Sequence, residues 1–281
     1  MRVISALAAL ALTACASTAV PPPNGFYTRQ VLAAGIPVRS SARVSQVALD
    51  AAREMIEGML GARPDLAAEL VRQDYTVSVI AQDEALLDLP ENADWTKPAR
   101  DDPRLTRCEK LHYDERIGRL TDRQYWDARA RGIGGQRTAV AEEDVLGLRS
   151  SRYYGETILV HEFAHNILFA IQDVDPALYA EVEMAYANAL ADDLFLNEYA
   201  TTTVQEYWAE GTQTWFDSNR LIVVDGRQIL NHDDLEAYDP RLYAALAKAY
   251  GSNHALRSDP FHLSEARVPP GPIPENTAEV C

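Results

Sequence analysis

The stretch ILVHEFAHNILFAI, residues 158–171, decides how the chain is read. Apolar side chains occupy nearly every position around a helix drawn through it, so the helix belongs in a core. Into that apolar cylinder the sequence places His161, Glu162 and His165. Residues four apart lie one turn above each other on one face. Both imidazoles can therefore reach one ion, and Glu162, offset by about 100°, lies beside that face. Two histidines and a carboxylate in a buried helix are unfavourable unless something satisfies them, and a divalent zinc ion does so.

A catalytic zinc site takes three protein ligands and leaves one position open. A third histidine in the extended pattern His-Glu-x-x-His-x-x-Gly-x-x-His is absent, because Leu168 and Ile171 stand at the relevant positions. A carboxylate on a later helix is the remaining common choice. The segment YATTTVQEYWAEGTQTWF, residues 199–216, offers Glu206 and Glu210, four apart and on one face. Glu206 is the expected ligand, and Glu210 is expected to accept the outer N–H of His161 or His165, which fixes an imidazole's tautomer. Glu210 is the alternative ligand, with Glu181, Glu183 and Glu198 behind it. His112, His232, His254 and His262 lack ligand spacing.

These residues carry a resemblance. His-Glu-Phe-Ala-His at 161–165, followed by Tyr199, Glu206 and Glu210 in a Glu-Tyr-Trp-Ala-Glu context, resembles the zincin metallopeptidases of the gluzincin type. It is similar in particular to the catalytic domain of anthrax lethal factor and its clostridial relatives. Ala164 departs from that pattern, where a glycine is common. The likeness spans about 80 residues, from the glycine turn at 132–135 to Phe216. It implies zinc held by His161, His165 and Glu206, a water activated on the zinc with Glu162 as general base, and Tyr199 stabilising the oxyanion. The implied activity is peptide-bond hydrolysis on a peptide or protein substrate. Two rivals use the same residues: a zinc hydrolase acting on a cell-wall peptide, and a non-catalytic envelope lipoprotein with a closed structural metal site.

Outward from the motif, helical spacing runs over 44–60, 176–194, 204–216 and 241–250, with a short helix from Pro64 to Arg72. YTVSVIA, residues 75–81, alternates and is β-branched, so it reads as a strand. Gly132-Ile133-Gly134-Gly135 precedes a short strand at 138–141. That strand is expected beside the cleft, where its edge could pair with an extended substrate. The glycines would then permit close approach, or form a plain turn. Leu221–Leu230 reads as a hairpin around Asp225-Gly226. Residues 90–110 read as a surface loop, and the chain from Ser252 as an irregular Pro-rich tail. The expected class is α+β, helix-rich, with a small sheet beside the motif helix.

Composition narrows the partners. The 281 residues carry 26 Lys and Arg against 42 Asp and Glu, a formal charge of −16. Such a chain does not suit nucleic-acid backbones or anionic lipid surfaces. Arg2 followed by about ten apolar residues is too short to span a bilayer and fits an export signal over 1–14. Leu12-Thr13-Ala14-Cys15 resembles a bacterial lipobox, which would lipidate Cys15 and anchor the protein in the cell envelope. Cleavage without lipidation would leave a secreted protein. Residues 15–43, with Pro21-Pro22-Pro23, are expected as tether and extension, and 44–281 as one catalytic domain. In an oxidising compartment Cys108 and Cys281 could pair.

Overall fold

A computed structural model describes residues 25–103, 105–224 and 226–273. The expected export signal, Cys15, the expected proline tether and Cys281 lie outside these residues. The elements in chain order are β1 (Arg29–Ala33), β2 (Ile36–Ser40), α1 (Gln46–Leu60), α2 (Pro64–Arg72), β3 (Thr76–Ile80), α3 (Arg107–Leu111), α4 (Asp122–Arg129), β4 (Arg137–Ala141) and α5 (Glu142–Val145). There follow α6 (Ile158–Val174), α7 (Pro176–Ala191), α8 (Val204–Trp215), β5 (Ile222–Val224), β6 (Arg227–Ile229), α9 (His232–Tyr238) and α10 (Pro240–Tyr250). The class is α+β, with a small sheet beside the motif helix.

The sheet has the order β1-β2-β3-β4, antiparallel in its first pair and parallel in the other two. Period-two alternation divides its side chains. Val38, Val77, Val79 and Val140 face the main core with α1, α2 and α6, while Ile80, Ala139 and Ala141 join a smaller cluster with Tyr27, Leu86 and Leu89. The extension expected over residues 15–43 thus contributes two strands from Arg29 onward. Pro37 lies within β2. It is tolerated because the β2–β3 pairing covers only Val38–Ser40. Ala34 and Gly35, both at positive φ, close the β1–β2 turn.

The loop over 90–110 holds α3, and Leu105, Ile117 and Tyr125 make a satellite cluster beneath it. Cys108 is a disulfide cysteine. No helix among the described residues is long and apolar enough to cross a membrane.

Two joints place the motif helix. Trp208 Nε1 on α8 donates to the Ala164 carbonyl inside the motif at 3.1 Å, with both residues fully buried. Thr203 caps α8, its hydroxyl accepting from the Glu206 N–H at 3.1 Å. The cap fixes the backbone from which Glu206 reaches α6.

The α5 turn carries a buried carboxylate with a measurable consequence. Asp144 accepts from the Ser151 hydroxyl, but its Oδ2 is buried without a hydrogen bond. Burial pushes its carboxyl up to about 6, Glu143 adds to this, and Ser151, Arg131 and Arg152 oppose it. The folded state therefore holds this proton more tightly than the unfolded chain, where Asp titrates near 3.9. The group favours folding at low pH, and that contribution is lost as pH rises through about 6. Asp144→Asn is expected to raise stability at pH 8 by roughly 2 kcal/mol, or about 4–8 °C in Tm, with almost no gain at pH 4. Melting curves at the two pH values check this, and a destabilised variant at pH 8 would overturn it.

Candidate metal centre

The apolar face of α6 explains why the motif is held rigidly: Leu159, Val160, Phe163, Ala164, Ile167 and Leu168 are all buried. Four residues of spacing bring the two imidazole rings to 5.0 Å between centroids, at 82° to each other. Across from them, the first turn of α8 presents Glu206. Its Oε2 lies 3.0 Å from His161 Nε2 and 3.6 Å from His165 Nε2. One donor atom from each of the three residues lies within 4.8 Å of the others, and no further His, Cys, Asp or Glu among the described residues joins the group. Tetrahedral zinc with bonds near 2.0–2.1 Å separates its ligand atoms by about 3.3 Å. The donor set and spacing therefore fit zinc, with one position left open.

The electrostatics suit a cation at this point. His161 is buried, which disfavours its charge, but its bond to Glu206 and the nearby Glu162, Glu210 and Glu206 carboxylates outweigh this and push it up to about 10. His165 is pushed down to about 4, by burial first and then by the His161 charge. Burial raises Glu162 to about 7 against the pull of His161 and of the Gly134 N–H. Burial also opposes ionisation of Glu206, yet its bond to His161 and the two histidine charges hold it below the usual carboxylate range.

Tyr199 sits in a short turn, Tyr199–Thr201, just before α8. Its ring lies 6.3 Å from that of His161 at 26°, and its phenol is hydrogen-bonded to Glu206. Burial, followed by the Glu206 charge, raises its pKa.

Glu210 lies otherwise than expected. Its Oε1 is 3.6 Å from His161 Nδ1, while Gln213 Oε1 is only 2.9 Å from the same nitrogen. Glu210 is instead hydrogen-bonded by Asn219 Nδ2 at 2.8 Å. Position 213 lies one turn beyond Glu210 on the same face, but a neutral amide gave no signal in the sequence.

The glycine segment is a strap laid over the motif. Ile133 exchanges both backbone bonds with Ala139, at 3.0 and 2.9 Å. This overturns the expectation that the β4 edge is free for a substrate, since the chain's own residue 133 occupies it at Ala139. The strap rests directly on α6. A Cβ at Gly132 would lie 2.6 Å from Ile158 Cγ2, and one at Gly134 would lie 2.7 Å from His165 Cδ2. The Gly134 N–H faces the Glu162 carboxylate and favours its charged form. Asn166, fully buried beside His165, accepts from the Gly135 N–H at 2.9 Å and donates to Thr138 Oγ1 at 2.7 Å. Arg131 ties the strap's entrance to Glu143 and to the Ala81 and Glu84 carbonyls.

The other histidines take different work. His254 and His262 bond the Trp215 and Phe216 carbonyls at the end of α8 at 3.1 and 3.0 Å, and His232 pairs with Asp217 at 2.9 Å. His112 is exposed, 3.7 Å from Glu115. Glu181 pairs with Lys248 on the surface.

No family model matches the chain, and no curated protein matches it. Among solved structures, the PRO-PRO endopeptidase (PPEP-2) from Paenibacillus alvei is similar over 75% of this chain and 95% of that chain, at 14% identity and a TM-score of 0.44. The narrower likeness to anthrax lethal factor rests on the motif residues alone.

Proposed function

We propose that this protein is a zinc-dependent peptidase, with His161, His165 and Glu206 as ligands and Glu162 as general base. The observation that carries this reading is the convergence of donor atoms from two buried histidines and the half-buried Glu206 within 4.8 Å of one another, with a carboxylate on the residue next to His161. Zinc, when bound there, acidifies water and polarises a carbonyl. Glu162, steered by the Gly134 N–H, takes a proton from the attacking water and returns it to the leaving amine. The Tyr199 phenol, released from Glu206, donates to the developing oxyanion. An extended substrate pairs with the strap at Gly132, because Ile133 turns its own backbone groups to β4 and the Gly134 N–H is turned to Glu162.

A closed structural site would need a fourth protein ligand, and the cluster holds three among the described residues. That count favours the catalytic reading over the structural one. A cell-wall peptide remains one substrate class within the hydrolase reading. The proposed location is the bacterial cell envelope, anchored through a lipid on Cys15, with a secreted protein as the alternative.

Metal analysis of the purified protein is expected to give one zinc per chain. Cleavage of a mixed peptide library should cease on chelation and return with zinc. His165→Ala should weaken zinc binding by at least about 100-fold, since it removes a ligand outright. Undiminished hydrolysis by a metal-stripped protein would reject the reading.

A further inference from the structure

The Gln213 amide lies between a metal ligand and a main-chain carbonyl, and this settles its orientation. Its nitrogen is 3.3 Å from the Thr157 carbonyl, and its oxygen is 2.9 Å from His161 Nδ1. A carbonyl only accepts, so the nitrogen must face Thr157 and the oxygen must face the imidazole. His161 Nδ1 must then carry a hydrogen and donate it. Nε2, the atom that faces Glu206, is then the nitrogen left to a metal, which would take the place of its hydrogen.

The amide is itself held on every side. Gln213 is fully buried. Its backbone carbonyl accepts from the Ser218 N–H and hydroxyl at 2.9 and 3.2 Å. Thr157 receives a second restraint from each partner: its N–H donates to the Ser218 carbonyl at 3.0 Å, and its hydroxyl donates to Asp259 Oδ1 at 2.5 Å. A continuous hydrogen-bonded chain therefore runs from Asp259, in the C-terminal segment, through Thr157 and Gln213 to His161.

We propose that Gln213 is the residue that positions His161 for the metal, fixing its tautomer and ring orientation with a neutral acceptor where a carboxylate was expected. The proposal rests on the zinc reading of the site. Hydrogen-bond partners behind a ligating histidine are commonly worth about 10- to 100-fold in metal affinity. A neutral amide polarises the imidazole less than a carboxylate does, but it also satisfies the Thr157 carbonyl, which a carboxylate would not.

The test is zinc affinity of the full chain by competition with a chromophoric chelator, for the parent protein, Gln213→Met and Gln213→Glu. Gln213→Met keeps the volume and removes the acceptor, and is expected to bind zinc about 10- to 100-fold more weakly. Gln213→Glu keeps an acceptor at Nδ1 although it gives up the bond to the Thr157 carbonyl, and is expected to bind zinc more tightly than Gln213→Met. A purely structural role for Gln213 would not be rescued by a buried charge. Parent-like affinity in folded Gln213→Met, or equal weakness in both variants, overturns the proposal. Should Gln213→Met fail to fold, imidazole ¹⁵N–¹H spectra of the zinc-loaded parent decide: a protected His161 Nδ1–H supports the proposal, and a hydrogen on Nε2 overturns it. A parent protein that binds no zinc would reject the metal reading itself, a result distinct from tight zinc binding indifferent to position 213.

Discussion

Glu162→Gln is expected to retain one zinc per chain and to lose peptide hydrolysis by about 10²- to 10⁴-fold, the range typical for removing a general base. The separation of the two readouts follows from the geometry. Glu162 is not among the three residues whose donor atoms cluster, so its loss leaves His161, His165 and Glu206 in place. Its carboxylate points to the strap, where the Gly134 N–H meets it. Glutamine has nearly the same shape and keeps an oxygen to face the Gly134 N–H, so the fold is undisturbed. What it cannot do is take a proton from water at neutral pH. Zinc content by elemental analysis and kcat/KM on the best library peptide check both halves. A variant that still turns over at the parent rate would remove Glu162 from the chemistry and leave the cluster a binding site only.

The legibility of this site in the sequence followed its physics unevenly. His161, Glu162 and His165 could be read because charge inside an apolar helix is an anomaly that needs a cause. Glu206 could be read as one of a few carboxylates at helical spacing on a later helix. Gln213 could not, because a buried neutral amide satisfied by two hydrogen bonds leaves no anomaly in composition or spacing. The strap was only partly legible: the glycines suggested either room for a substrate or a plain turn, not packing on α6 with Ile133 taking the β4 edge. Strands β1 and β2 were hidden by Pro37 and by arginines at 29 and 39, whose burial is decided by tertiary partners. Arg39 is buried over the Tyr27 ring at 4.0 Å and paired with Glu91 at 2.8 Å. The gathering of His232, His254 and His262 at the end of α8 depends on chain crossings that no local pattern encodes.

Gly134→Ala is the harsher test of the strap, because the smallest possible side chain has nowhere to go. Its Cβ would sit 2.7 Å from His165 Cδ2, 2.8 Å from the Glu162 carbonyl oxygen and 3.1 Å from His165 Cβ. Two of these are atoms of a buried helix that cannot rotate away, so the strap must lift. Lifting it draws the N–H off Glu162, pulls Gly135 from Asn166 and strains the Ile133–Ala139 pair together. Overpacking of this kind destabilises by roughly 1–3 kcal/mol. The kinetic effect should be larger, about 10²-fold or more in kcat/KM, since a displacement near 1 Å at the reacting groups suffices for that. Gly135→Ala separates the contact from the backbone. Nothing lies within 4 Å of a Cβ there, but φ is +115°, so the strain is conformational and leaves the contact with His165 and Glu162 intact. Gly135→Ala should therefore lower Tm while keeping most of its activity, and Gly134→Ala should lose activity out of proportion to its Tm. If Gly134→Ala hydrolysed peptide as the parent does, the strap would be free to leave the cleft. Substrate would then have to find its backbone partner elsewhere.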